Sequence, residues 1–203
     1  MKCSKCNDRK HVRGEDGLYR RCDCVQKRIQ QAKYLRAGVP EILLNESVDK
    51  LRESAPPELV KAMQTSLSKR HLIWLVGPST SARRGRAIAY AIKGFVDAGE
   101  DAKRTSLMDL VNAWFDRSDQ AVWLREFQIL PLLVVDLAND TNHKMAPQIL
   151  ERLYSVRAGM RAMTIFASAD DIGMMGERYG HEVAARFAYG RDVKRVPLKG
   201  AGA

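Results

Sequence analysis

Cys3, Cys6, Cys22 and Cys24 are the only cysteines among 203 residues, and they all fall within the first 24. Clustered cysteines in a chain with no secretory pattern are metal ligands more readily than disulfides. Their spacing is C-x2-C, fifteen residues, then C-x-C. Two close pairs closing one loop offer four soft donors in the tetrahedron that zinc prefers. Gly14 and Gly17 around Glu15-Asp16 predict a hairpin that brings the pairs together. A structural Zn2+ on Cys3, Cys6, Cys22 and Cys24 is therefore expected, the alternative being four unrelated reduced thiols. His11 is read as a surface residue of the hairpin. A module this small buries too little apolar surface to fold alone, so the metal would carry its folding free energy.

The second chemical pattern is a phosphate-binding loop that has lost its working groups. The apolar run from His71 to Val76 enters Gly77-Pro78-Ser79-Thr80-Ser81-Ala82-Arg83-Arg84. An intact P-loop reads G-x-x-x-x-G-K-[ST]: glycines that curl amides round phosphate, a lysine on the β and γ phosphates, and a hydroxyl on Mg2+. Here Ala82, Arg83 and Arg84 stand at those last three positions. A second apolar run ends Leu133-Val134-Val135-Asp136-Leu137, keeping the carboxylate that would face Mg2+ but placing Leu137 where a water-orienting Glu belongs. Gly77, Pro78, Arg83, Arg84 and Asp136 are thus nucleotide-site positions from which lysine, metal-binding hydroxyl and base are all missing. ATP and Mg2+ are doubtful cofactors, and efficient hydrolysis is not expected. On local spacing alone, an apolar α/β domain with a Gly-Pro turn that never bound nucleotide also fits.

The elements needed to position these groups are legible as strands alternating with helices. Strands are expected at 71–76, Ala102 to Leu107, Ile129 to Asp136, Met163 to Ala167 and Val193 to Leu198. Helical spacing appears at Leu59, Val60, Met63 and Leu67, through 88–96, at 145–156 and at 179–187. Residues 41–57 read as a linker or turn. The implied fold class is α/β, a parallel sheet covered on both faces. Residues 1–36 carry eleven Lys or Arg against four Asp or Glu, a net of about +5 once four thiolates hold a Zn2+. After Cys24, Val25, Ile29 and Ala32 mark one face of a basic helix ending at Gly38-Val39-Pro40. That helix is either simply solvated or a contact surface. The whole chain carries a net charge of +10, which favours nucleic acid, an acidic protein or an anionic surface as partner. No apolar run reaches ~18 residues and no signal segment is seen, so a cytoplasmic protein with no membrane partner is expected.

These segments together resemble the DnaC/DnaI-type loaders of bacterial replicative helicases and the related IstB-like AAA+ proteins. The cysteine pairs with Ala37-Gly38-Val39-Pro40 are similar to the front of the zinc-bearing loaders. Leu75 to Pro78 stands at their Walker A, and Leu133 to Asp136 at their Walker B. Thr164 to Asp170 resembles sensor 1, with Ser168 or Asp170 as its polar residue. Glu177 to Phe187 resembles the box VII helix and puts Arg186 at the arginine-finger position. The resemblance implies an AAA+-like P-loop fold without a lid domain, divided as a zinc module at 1–36, a helical linker at 37–68 and an α/β domain at 69–203. It further implies binding to a hexameric replicative helicase through the N-terminal region, contact with single-stranded DNA, and self-assembly through AAA+ faces. The altered ATP-handling residues put nucleotide switching in doubt.

Three functions follow: a loader-like adaptor that does not cycle on ATP, an atypical active ATPase in which Arg83 grips phosphate, or a zinc-ribbon nucleic-acid-binding regulator. Arg83, Arg84 and Arg86 are candidate contacts to DNA phosphate or an acidic face, or else solvated drift after loss of ATP. Arg186 is either a retained finger or a surface charge. Trp114, Phe115 and Trp123 read as core residues more readily than as base-stacking platforms.

Overall fold

The computed structural model describes residues 2–65, 72–77, 82–116, 126–137, 143–160, 162–190 and 193–198. A two-stranded antiparallel ribbon, β1 (His11–Arg13) and β2 (Tyr19–Arg21), leads into α1 (Asp23–Arg36). A short 3-10 turn (Glu41–Leu43), α2 (Val48–Ser54) and α3 (Pro57–Thr65) follow. The body alternates β3 (Leu72–Val76), α4 (Ala82–Asp97), β4 (Ala102–Ser106), α5 (Leu107–Asp116), β5 (Leu132–Asp136), α6 (Ala146–Ala158), β6 (Met163–Ser168), α7 (Ile172–Tyr179), α8 (His181–Tyr189) and β7 (Val193–Pro197). The five strands from β3 onward form one parallel sheet in the order β4-β5-β6-β3-β7.

Strands β3 and β6 are buried at every position, as expected when helices cover both faces of a parallel sheet. Period-two alternation divides their side chains between two cores. Ile73, Leu75, Leu132, Val134, Ile165 and Ala167 face α4 and the helices before it. Trp74, Leu133, Val135 and Phe166 face α5 to α8. The edge strands β4 and β7 carry Lys103, Arg104, Lys194 and Arg195, charges that discourage further strand addition.

Three expectations change, and the helical linker expected at 37–68 gains its detail. Residues 48–54 are helical, with the Ser47 hydroxyl capping α2 by accepting from the Lys50 amide. Strand β5 begins at Leu132 and leaves Ile129 exposed, because Pro131 has no N–H for a ladder and offers only its carbonyl, to Met163. The 177–187 block is two helices, broken where Gly180 adopts φ of 89°, a value L side chains avoid. The Val25, Ile29 and Ala32 face of α1 turns to solvent, with Ile29 and Ala32 exposed; Tyr34 instead anchors the helix in the core. Leu67 lies outside the described residues.

The docking of α1 and the following segment is polar as well as apolar. The Tyr34 hydroxyl and the Gln30 amide both donate to Asp97 on α4. Burial and Asp97 push the Tyr34 phenol up to about 12, so it stays a donor. Lys93 of α4, buried, donates to the carbonyls of Leu43, Leu44 and Glu46 and sits 4.7 Å from the Tyr34 ring centre. Burial lowers its pKa, and the charges of Asp97 and Glu46 oppose that. Three carbonyls satisfied by one ammonium make Lys93 the pin between the 41–46 segment and α4. Lys93→Ala is expected to cost about 3 kcal/mol, since it strands buried carbonyls without a donor. Denaturant unfolding followed by far-UV circular dichroism measures this loss.

Candidate functional site

The four cysteines converge at the base of the ribbon. Asn7 and Asp8, both at positive φ, turn the chain after Cys6, and the Cys22 amide donates to the Lys10 carbonyl to close the hairpin. The Sγ atoms of Cys3, Cys6, Cys22 and Cys24 all lie within 4.8 Å of one another, with Cys3–Cys22 at 3.8 Å and Cys6–Cys24 at 3.5 Å. A tetrahedral ion with ~2.3 Å metal–sulfur bonds needs sulfurs ~3.8 Å apart. The donor set therefore fits a metal ion. Backbone amides of Cys6 and Lys5 aimed at the Cys3 sulfur pull that thiol down to about 6, while burial and then the neighbouring sulfurs push Cys24 up to about 12. Cys22 stands at the N-cap position of α1 without a side-chain capping bond, so the positive end of the helix lies beside the cluster. His11 is exposed on the ribbon and outside the ligand set.

The other candidate positions gather at the C-terminal edge of the parallel sheet, where ligands bind in open α/β folds. Gly77 leaves β3 there, its amide donating to Ser168, while the Leu198 amide donates to Val76. A Cβ on Gly77 would stand 2.5 Å from that of Leu198, so the exit of β7 presses directly on the start of the loop. Pro78 lies outside the described residues.

Arg84, at the metal-binding hydroxyl position, is buried in the first turn of α4 and donates from Nη1 to the Gly77 carbonyl at 3.3 Å. Burial lowers its pKa; the nearby Asp136 charge acts against this and the Arg104 charge acts with it. Asp136, ending β5, accepts from Arg104 Nη2 at 2.5 Å, and its side chain is only 13% exposed. The carboxylate that would face Mg2+ is thus held among guanidinium charges. Leu137, at the base position, is fully buried, its amide tied to Ala167.

The three arginines singled out as anion contacts take different paths. Arg84 is internal, Arg86 pairs with Glu46 at 2.9 Å, and Arg83 is exposed. A cleft of about 660 Å³ opens beside them, with Arg83 and Arg86 on one wall and Glu53 and Glu58 among the residues lining it. The sensor position is also internally engaged. Buried Ser168 accepts from the Asp170 amide at 2.9 Å, and Asp170 sits 3.1 Å from Arg178 Nη1, an ion pair out of hydrogen-bond alignment. Arg186 reaches α6, donating to Glu151 at 2.9 Å and Ser155 at 3.3 Å, with its guanidinium 5.5 Å from the Tyr154 ring centre. Trp114 is half-buried beside Arg152, Phe115 is exposed, and Trp123 lies outside the described residues.

Sequence reasoning missed Arg104, Lys93 and the buried Arg157, which donates to Thr164, Leu130 and Met163 among others and whose pKa burial lowers to about 10. Lys93 alone left a signal, as a single charge inside the apolar run Ile88 to Val96.

The architecture is an AAA+-like α/β fold similar to that of the solved DnaC helicase loader and DnaI. No protein-family model matches the chain, and no curated protein matches it in sequence. Among solved structures it is similar to the DnaC helicase loader (TM-score 0.60, 14% identity, 82% of this chain and 99% of that chain). It is also similar to DnaI (TM-score 0.59, 13% identity, 85% and 97%) and to a primosome component from Streptococcus pyogenes serotype M3 (TM-score 0.59, 12% identity, 86% and 98%). Among the described residues no helix is long and apolar enough to cross a membrane.

Thiolate ligands compete with protons, so metal is expected to leave as pH falls. Cys22→Ser should abolish stoichiometric metal, as measured by elemental analysis. Amide exchange should then speed up across 3–24 while β5 and β6 stay protected.

Proposed function

We propose that this chain is a DNA-replication adaptor resembling a helicase loader, one that binds the replicative hexameric helicase and single-stranded DNA without efficient ATP hydrolysis. The observation that carries the non-cycling part is the buried Arg84 at the place of the Mg2+-binding hydroxyl, with Arg104 paired to Asp136. Among the described residues, a divalent cation there would face guanidinium charge and one carboxylate, and the Leu137 side chain cannot orient water. The chain keeps the scaffold and fills the metal's electrostatic role with its own arginines.

The helicase-binding part is supported by the fold and by the front of the molecule. The four thiols hold Zn2+, whose four-coordinate sulfur site is a closed, structural one. The module it pins exposes Leu18, Ile29 and Leu35, apolar side chains set among basic residues. Exposed apolar surface rimmed by charge marks interaction sites more than it marks a monomer's ordinary surface. In the adaptor reading these exposed side chains serve the helicase.

A nucleotide bound at a hundred times its Kd would raise the melting temperature by about 5–10 °C for a chain of this size. Millimolar Mg2+-ATP is expected to leave the melting temperature of this protein unchanged and to show no turnover above background. Capture of the host's replicative helicase by the zinc-loaded full chain, and its loss in Cys22→Ser, is the matching test of the adaptor role. Strong stabilisation by Mg2+-ATP, with turnover, would instead select the active ATPase.

A further inference from the structure

The ribbon in front of the metal cluster has a face that neither the metal nor the body uses. In the β1–β2 ladder, His11 pairs with Arg21 and Arg13 with Tyr19, while Val12 pairs with Arg20. Paired residues project to the same side, and alternate residues along a strand share a side. One side of the ribbon therefore carries His11, Arg13, Tyr19 and Arg21 together. All four are exposed, Tyr19 to 74%. Arg13 is steadied across the turn by its Nε donating to the Gly17 carbonyl at 3.3 Å. Of the two acids at the tip, Glu15 is exposed and Asp16 is already engaged, accepting from the Leu18 amide and from Arg20, whose side chain belongs to the opposite side. An exposed aromatic ring thus stands directly opposite one guanidinium and two positions along the strand from another.

We infer that this ribbon face, built from His11, Arg13, Tyr19 and Arg21, is a contact site for single-stranded DNA, with a base stacked on Tyr19 and the flanking guanidiniums on phosphates. The charge is complementary, and the ring supplies what phosphate attraction alone does not, a surface for an unpaired base. Tyr19 and Arg21 are ~6.6 Å apart along the strand, the rise of about two stacked nucleotides at ~3.4 Å each. A duplex hides its base faces, so the exposed ring favours the single strand. A metal on the four cysteines would tie both ends of the hairpin, so the face would be formed before the ligand arrives. The inference rests on the adaptor reading for its choice of DNA, and it places a contact far in sequence from Arg83, the exposed arginine beside the sheet edge.

The test is fluorescence anisotropy of a labelled oligo(dT) of about 20 nucleotides, beyond the ~4–16 that a small single-strand site covers. It uses the zinc-loaded full chain across a salt series. Tyr19→Ala is expected to weaken binding about tenfold or more with an unchanged salt slope, and Tyr19→Trp to restore it. Arg13→Ala with Arg21→Ala should reduce the slope of log K on log salt by about 1.4, at ~0.7 for each phosphate that is no longer neutralised. Metal content and circular dichroism equal to the parent's show that each variant is folded, and the Trp variant keeps the ring test valid should the Ala variant lose metal. If the parent binds oligo(dT) but Tyr19→Ala and the double Arg variant bind it equally well, or if Arg83→Ala alone removes binding, the ribbon assignment fails and the adaptor reading stands. If the parent binds no oligo(dT) at all, the DNA part of the adaptor reading fails with it. Tighter binding of oligo(rU) or of duplex DNA than of oligo(dT) would also overturn the assignment. So would loss of helicase capture in Tyr19→Ala with DNA affinity intact, which would make the face a protein contact.

Discussion

A carboxylate at the end of a buried strand must find a positive charge, and the answer to that requirement at Asp136 shapes the whole C-terminal edge of the sheet. Its side chain is only 13% exposed, too little for water to hold the charge unaided. A nucleoside-triphosphate-hydrolysing site answers with a hydrated Mg2+ that arrives with substrate. Here the answer is covalently part of the chain: Arg104 from the neighbouring strand and the buried Arg84 from the first turn of α4. A permanent cation does not leave when a nucleotide does. In the adaptor reading proposed above, the changes at the lysine, hydroxyl and base positions belong to one rearranged site.

The parts of this design that are local in sequence were readable from it. Four cysteines in two close pairs point to one another whatever the rest of the chain does, and the central strands announce themselves as unbroken apolar runs. What stayed hidden depends on register between distant segments. Arg104 lies in β4, whose alignment beside β5 sets Thr105 against Val135 and Ser106 against Asp136, and nothing in Ala102 to Ser106 states that alignment. The face of α1 failed for a related reason. The spacing of Val25, Ile29 and Ala32 is helical, but periodicity does not say which side of a helix the protein covers. Here Tyr34 and Gln30, meeting Asp97, decide it. The three arginines after Gly77 looked alike as charges; burial and the Glu46 partner separated them.

Arg104 also joins the two ends of the molecule. Its backbone amide donates to the Ala37 carbonyl, just past the end of α1, while its side chain neutralises Asp136. Gly38, the next residue, packs so closely that a Cβ there would lie 2.7 Å from that of Arg104. Tyr34 and Lys93 also fix the same helix to α4, the helix that carries Arg84 in its first turn. The cysteine-bearing front is thus attached through the very strand and helix that supply the cations of the sheet edge. The attachment of the front module and the charge balance at the end of β5 are therefore carried by the same two elements, β4 through Arg104 and α4 through Lys93 and Arg84.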